Sequence, residues 1–309
     1  MTTAILITAL LSLTPMLTAA EQTPNSPKKE QTMSGTSQLN RIRLEPYPGT
    51  RTSASQMIHI TSPWNSDDYM AVNFPEHCWG NGLPNVGHMS EEPIECPWVF
   101  DENGSRGVLE RKPAEGITVR FTAEVDGLTV RTGMEIENRT DQALTDIRVL
   151  VCTRPRYMST FCEFNYDPTY VWIDGEAANM AGSTTYDGPL PDEGRTPCWA
   201  MNLPDGPDNS DMGWFQPGSG PGRIVNELAD PGLIAVHEKG NDQRWVATIW
   251  DPARMVFANP SLPCIHSDPQ PPDCPPGETV TVSGLILFHD GDAASLQARA
   301  IREMKQEGR

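Results

Sequence analysis

Residues 117–138 read ITVRFTAEVDGLTVRTGMEIEN, and this stretch decides the fold class. Apolar and polar residues alternate over 117–123 and again over 128–136, which is the period of a half-buried β-strand. The Asp126-Gly127 pair between the two runs is typical of a hairpin turn. The stretch therefore predicts two antiparallel strands joined by a tight turn.

A third strand is predicted directly after this hairpin. The sequence Asn-Arg-Thr-Asp at 138–141 turns the chain, and Ile147, Val149 and Val151 then repeat the alternation. Three consecutive antiparallel strands form a meander, which is typical of a β-sandwich or a β-barrel.

The C-terminal part of the chain predicts more strands and one helix. Strand patterns occur at 233–237, 245–250 and 279–288. Asp292 is a suitable N-cap for a helix over 292–307, in which one face carries Leu296, Ala300, Ile301 and Met304. We therefore predict an all-β protein, a large antiparallel β-sandwich with a short C-terminal helix.

The N-terminal 40 residues predict export. An apolar run over 4–17 ends in small residues, so 1–20 resembles a signal peptide, although no Lys or Arg precedes the run; a buried N-terminal helix is the alternative. Residues 21–40 are polar and lack apolar periodicity, which predicts a flexible linker. Residues 41–309 then form one domain, and we expect the protein to be secreted, in the periplasm or outside the cell.

The negative net charge of the chain bears on which partners it can bind. The chain has 23 Lys and Arg against 41 Asp and Glu, a net charge of −18, so it is acidic and nucleic acid is disfavoured. No segment after the N-terminal run has the ~20 apolar residues of a membrane span. The oligomeric state stays open.

The seven cysteines are compatible with an oxidising compartment. Cys264 and Cys274 bracket a Pro-rich segment and are the first candidates for a disulfide; buried free thiols are the alternative. Neither Cys-x-x-Cys nor His-x-x-x-His spacing occurs, so the sequence predicts no metal site and no cofactor.

Two motifs resemble galactose-mutarotase-like proteins of the aldose-epimerase type. They are VDGLTV at 125–130 with EIENRTD at 135–141, and PGETVTVSGLILF at 276–288. This remote resemblance implies the fold called a supersandwich, with a concave sheet face that holds saccharides in epimerases, polysaccharide lyases and non-catalytic domains of glycoside hydrolases. The family's epimerases place a catalytic histidine on the strand after the Asn-x-Thr-Asp turn. Here 149–157 read VLVCTRPRY without histidine, so plain mutarotation is not expected.

His266 and Asp268 lie in the Pro-rich segment 264–275, which we expect to be a rigid loop that holds an acid/base pair. The alternative is a histidine that only bonds the loop backbone.

The stretch 76–82, EHCWGNG, predicts a tight turn that presents Trp79 to a sugar ring beside polar groups. Its polar members are Glu76, His77 and Asn81. Packing of this loop against the core is the alternative. Metal ligation by His77 with His88 and Glu92 fits no standard spacing.

Arg154, Arg156 and Tyr157 stand where the third strand leaves the sheet. An arginine there is suited to a uronate carboxylate, and a tyrosine to the base of a β-elimination; surface ion pairs are the alternative.

The sequence thus predicts a secreted carbohydrate-binding or carbohydrate-active protein with its sugar on a concave sheet face. The predicted catalytic residues are His266, His77, Tyr157 and Arg156, and the predicted substrate-binding residues are Trp79, Glu76, Asn81, Arg154 and Asp268. Whether it is an enzyme (a polysaccharide lyase, sugar epimerase or glycoside hydrolase) stays open. A structural domain of the cell envelope without a small-molecule site is the alternative.

Overall fold

The computed structural model describes part of the chain, and the signal peptide and most of the linker predicted at 1–40 lie outside it. The described residues are 39–46, 57–87, 98–162, 167–181, 196–200, 222–225, 229–259 and 263–307. Leu39–Arg309 forms one compact unit. Within the described ranges no helix has the length and apolar character needed to cross a membrane.

The described residues form eighteen strands and one α-helix. The strands are β1 Leu44–Pro46, β2 Met57–Thr61, β3 Tyr69–Asn81, β4 Leu83–Gly87, β5 Val99–Phe100, β6 Arg106–Ala114, β7 Ile117–Asp126, β8 Thr129–Asn138 and β9 Thr145–Arg154. They continue with β10 Thr169–Ile173, β11 Glu176–Asn179, β12 Thr196–Ala200, β13 Gly222–Val225, β14 Ala229–Glu238, β15 Asn241–Asp251, β16 Ala253–Asn259, β17 Cys264–Pro269 and β18 Thr279–Asp290. The helix, α1, is Ala293–Glu307.

The strands form two nine-stranded sheets. The first sheet has the order β1-β2-β3-β9-β17-β16-β12-β13, with β4 paired to β3. The second sheet has the order β11-β10-β14-β15-β18-β8-β7-β6-β5. All pairs are antiparallel except β12 with β13. The predicted all-β sandwich with a C-terminal helix is confirmed.

Two clusters of apolar side chains pack the two sheets and the helix against one another. The first lies between the sheets and joins Val72 and Phe74 of β3 to Phe121 of β7 and Phe288 of β18. The second lies on the other face of the second sheet, where α1 covers Trp172, Trp245 and Leu285 with Leu296, Ala300 and Met304. As predicted, Asp292 caps the helix, its Oδ1 accepting from the Ser295 amide at 2.8 Å.

The hairpin predicted over 117–138 is present as β7 and β8, with Asp126 opposite Thr129 across the turn. Gly127 at this turn has φ +62°, a conformation that favours glycine.

The predicted third strand of the meander is present, but in the other sheet. β9 pairs with β3 and β17, whereas the edge of β8 is taken by β18. The meander is therefore wrong, because an alternating pattern specifies a half-buried strand and says nothing about its neighbour.

The chain changes sheets at Asn138, a fully buried side chain. Its Nδ2 donates to the carbonyls of Gln142 and Cys274 at 2.8 and 2.9 Å. Its backbone N–H donates to Glu278 O at 2.9 Å, and its carbonyl accepts from the Gly277 amide at 2.7 Å. The Asn-x-Thr-Asp and Pro-Gly-Glu turns, which are far apart in sequence, are thus hydrogen-bonded to each other.

The predicted Cys264–Cys274 disulfide is wrong. Both thiols are free and buried, as is Cys152. Cys274 Sγ points at the Ile136 carbonyl beside the Asn138 crossing, 3.6 Å away, whereas Cys264 belongs to β17 and lies near His266. The two thiols lie in different parts of the fold, so no disulfide closes the Pro-rich segment between them.

Replacement of Asn138 by Ala should destabilise the protein by about 3 kcal/mol, because it leaves buried carbonyl groups without donors. Urea unfolding of both proteins measures the difference. The matched control is Asn65→Ala, since exposed Asn65 accepts one bond from the Asp67 amide; it should cost under about 1 kcal/mol. Equal losses in the two variants would contradict the role given to Asn138.

Candidate functional site

The first sheet has a face directed away from the second sheet, here called the outer face. Val72, Val151, Ile265 and Val256 of its four central strands belong to the core between the sheets. Because side chains alternate along a strand, the residues next to each of them point outward.

One row of outward side chains crosses these four strands. Asn73 pairs with Cys152, Cys152 with His266, and His266 with Phe257. All four residues are buried. The register of the sheet therefore places two buried polar side chains, Asn73 and His266, in one row with the Cys152 thiol and the Phe257 ring.

His266 and Asp268 lie together on this face. His266 Nδ1 is 3.4 Å from Asp268 Oδ1, and that oxygen accepts from the Val151 amide at 2.9 Å. The Phe257 ring stacks on the imidazole with centroids 4.1 Å apart. The predicted loop is wrong, since both residues belong to strand β17, but their pairing is present.

Glu76 and Arg154 extend the cluster. Arg154 Nη2 donates to Glu76 Oε1 at 3.1 Å, and the other Glu76 oxygen is 4.0 Å from His266 Nε2. Arg154 Nε also donates to Cys152 Sγ at 3.1 Å. Four predicted site residues from three strands, namely Glu76, Arg154, His266 and Asp268, are thus brought within reach of one another.

Burial shifts the proton equilibria of this cluster. It raises the pKa of the Asp268 carboxyl and raises that of the Cys152 thiol well above its usual value. Burial alone would lower the pKa of His266, but Cys152 and Asp268 beside the ring outweigh it and raise this pKa. His266 with Asp268 is therefore suited to hold a proton on the outer face.

An aromatic group adjoins the cluster where β9 ends. Pro155–Tyr157 forms a single 3₁₀ turn, in which Arg156 Nη2 donates to Tyr157 Oη at 2.6 Å. The Tyr157 ring stacks on Tyr69 of β3 with centroids 5.0 Å apart, and His59 of β2 meets the Tyr69 ring edge-on. The predicted exit of Arg156 and Tyr157 from the sheet is confirmed.

His77, Trp79 and Asn81 lie further along the same strand. The predicted tight turn is wrong, because 76–81 continue β3 and the chain turns at Gly82, φ +78°. His77 and Trp79 alternate with core residue Cys78, so they share the outer face, with rings 6.1 Å apart. Exposed Asn81 ends the strand and bonds Thr145 Oγ1 at 3.2 Å. His88 and Glu92 lie outside the described residues.

Several residues of this face were missed from sequence. They are Asn73, Cys152, Cys264, Tyr69 and His59. The side-chain amide of Asn73 has no hydrogen-bond partner among the described residues although it is fully buried. In the sequence, polar residues alternate with Ile58, Ile60, Met70 and Val72, and this alternation could have indicated that His59, Tyr69 and Asn73 share one sheet face. It does not show which strands are neighbours.

No protein-family model and no curated protein matches the chain. The structure is similar to a galactose mutarotase-like protein from Lactobacillus casei, with 10% identity, TM-score 0.42, and coverage of 80% of this chain and 100% of that one. It is also similar to a galactose mutarotase related enzyme from Lactobacillus acidophilus, with 8% identity, TM-score 0.39, and coverage of 77% and 96%. A polysaccharide lyase matches with 11% identity and TM-score 0.36, covering 82% of this chain and 33% of that one. The first two are remote structural likenesses to the family that the sequence motifs resemble.

The half-buried His59 ring predicts acid sensitivity. Burial lowers the pKa of His59 from 6.5 to about 4. Between these values the unfolded chain binds a proton that the folded ring does not, so the free energy of unfolding should fall by about 1–2 kcal/mol as the pH drops through this window.

Replacement of His59 by Phe should flatten that part of the stability profile, since no group titrates at this position. Chemical unfolding at several pH values from 7 down to about 4 measures the slope in both proteins. An unchanged slope in the variant would show that His59 is not responsible.

Proposed function

We propose that this chain is an exported carbohydrate-binding or carbohydrate-active protein whose saccharide site is the outer face of the first sheet. The observation that carries the proposal is the convergence of Glu76, Arg154, His266 and Asp268 beside the stacked Tyr69 and Tyr157 rings. The apolar run and polar linker at 1–40 support export.

This combination of side chains suits a sugar. Planar carboxylate and guanidinium groups bind neighbouring hydroxyls, while an aromatic ring packs against the C–H face of the pyranose. Trp79 and His77, further along β3, extend the surface so that more than one sugar unit has contacts.

Arg156 favours an acidic saccharide. Arg154 is neutralised by Glu76, but Arg156 makes no ion pair with a carboxylate among the described residues and instead bonds the Tyr157 hydroxyl. In a protein of net charge −18, a guanidinium without a carboxylate partner is a suitable place for a uronate group. We therefore expect uronate-containing oligosaccharides to bind more tightly than their neutral counterparts.

A saccharide screen tests the proposal. Thermal shift measurements with matched neutral and uronate oligosaccharides, followed by calorimetric titration, should find a ligand that raises the melting temperature by mass action. Replacement of Tyr157 by Phe should weaken that ligand about 2- to 10-fold, the effect of one neutral hydrogen bond.

The matched control is Tyr170→Phe. Tyr170 packs against Trp245 on the helix side of the second sheet, with rings 5.3 Å apart, so its hydroxyl should not affect the ligand. Equal weakening by both variants would place the site elsewhere. No stabilisation by any saccharide would support the alternative, a structural domain of the cell envelope.

A further inference from the structure

We propose that the outer face holds a zinc ion, bound by the Cys152 and Cys264 thiolates and by Nε2 of His266. The candidate ligand atoms of these residues all lie within 4.8 Å of one another. All three side chains are at most 5% exposed. This inference rests on the local geometry and does not depend on saccharide binding.

The strands explain why these residues meet. Cys264 and His266 are separated by one residue on β17, so both point to the outer face. Cys152 stands opposite His266 on the neighbouring strand β9. Two strands therefore supply three ligands without any of the short sequence spacings that identify common zinc motifs.

The distances fit a tetrahedral ion after small side-chain rotations. Ligand atoms around zinc lie about 3.5 to 3.8 Å apart, given bonds of roughly 2.3 Å to sulfur and 2.0 Å to nitrogen. Cys264 Sγ is already 3.6 Å from His266 Nε2. Two thiolates and one imidazole are a ligand set preferred by zinc over magnesium or calcium, which take oxygen ligands.

Asp268 lies where many zinc sites have a carboxylate that bonds the histidine ligand. A zinc-binding histidine commonly donates its second ring N–H to a carboxylate, which fixes the tautomer and the ring orientation. His266 Nδ1 faces Asp268 Oδ1 at 3.4 Å, leaving Nε2 directed to the sulfurs. Among the described residues neither Nδ1 of His266 nor Oδ2 of Asp268 has a hydrogen-bond partner. A small movement of the imidazole on binding zinc would therefore let Nδ1 form a hydrogen bond to the Asp268 carboxylate.

A disulfide is the competing explanation for two neighbouring thiols. Cys152 is opposite His266, so Cys264 is its diagonal neighbour, and diagonal Cα atoms in an antiparallel pair lie about 7–8 Å apart. That range begins at the limit for a disulfide, about 7 Å, so a bridge between the two thiols would require the backbone to move. Both thiols are free in the structure.

The fourth position of the ion would face Glu76. Its Oε2 lies 4.0 Å from His266 Nε2, and its other oxygen is held by Arg154. Three protein ligands with one open position are typical of catalytic zinc sites. With Nε2 bound to metal, His266 would no longer accept a proton at that atom, and Glu76 would be the carboxylate beside the open position.

Metal binding by the full chain tests the proposal. Protein purified under reducing conditions, stripped with a chelator and titrated with Zn²⁺ should bind one equivalent and gain thermal stability. Co²⁺ in its place should give the thiolate-to-metal charge-transfer band of a tetrahedral site. The Cys152→Ser and Cys264→Ser variants should each weaken Zn²⁺ binding at least about 100-fold, and Asp268→Asn, which removes a positioning residue, about 10- to 100-fold.

The matched control is Cys274→Ser, another buried thiol, which should keep one equivalent of Zn²⁺ and the Co²⁺ spectrum. Three results would each overturn the proposal: less than one equivalent bound by the wild type, equal weakening in the Cys274 variant, or a Cys152–Cys264 disulfide in wild-type protein purified in parallel without reductant. The Co²⁺ spectrum of the wild type decides the matter even where a serine variant fails to fold.

Discussion

The packing of the first sheet against the second is the constraint on which the candidate site depends. Val72, Val151, Ile265 and Val256 point inward, where their burial between the sheets contributes to the hydrophobic free energy of the core. Their sequence neighbours are then forced outward in a fixed register. The alignment of Asn73, Cys152, His266 and Phe257 follows from that packing rather than from any local motif.

The outer face carries polar groups that a purely structural sheet would avoid. Buried polar atoms without partners destabilise a fold, as do buried charges with incomplete pairing. Asn73 has a fully buried amide without a described partner, and Asp268 has one such oxygen. Groups of this kind concentrate at sites where a ligand or an ion supplies the missing interactions. The saccharide and the zinc proposals each address part of this cost.

The crossing at Asn138 connects this face to the rest of the chain. There the hairpin β7–β8 ends, the chain passes into the other sheet, and the turn before β18 is bonded to the same side chain. The crossing brings β9 beside β17, so that Cys152 lies close to Cys264 and His266. A short buried side chain with both donor and acceptor groups is suited to this junction, because several backbone groups there leave the regular ladders.

The sequence by itself determined the class of fold, the β7–β8 hairpin, the C-terminal helix and several residues of the candidate site. These depend on side-chain periodicity, turn residues and capping, which act over a few positions. Only the tertiary structure decided that β9 joins the other sheet, that His266 lies on a strand, and that Cys264 is far from Cys274 and close to Cys152. The reason is that strand partners are chosen by the packing of whole faces, whereas alternation within one strand is the same beside any neighbour.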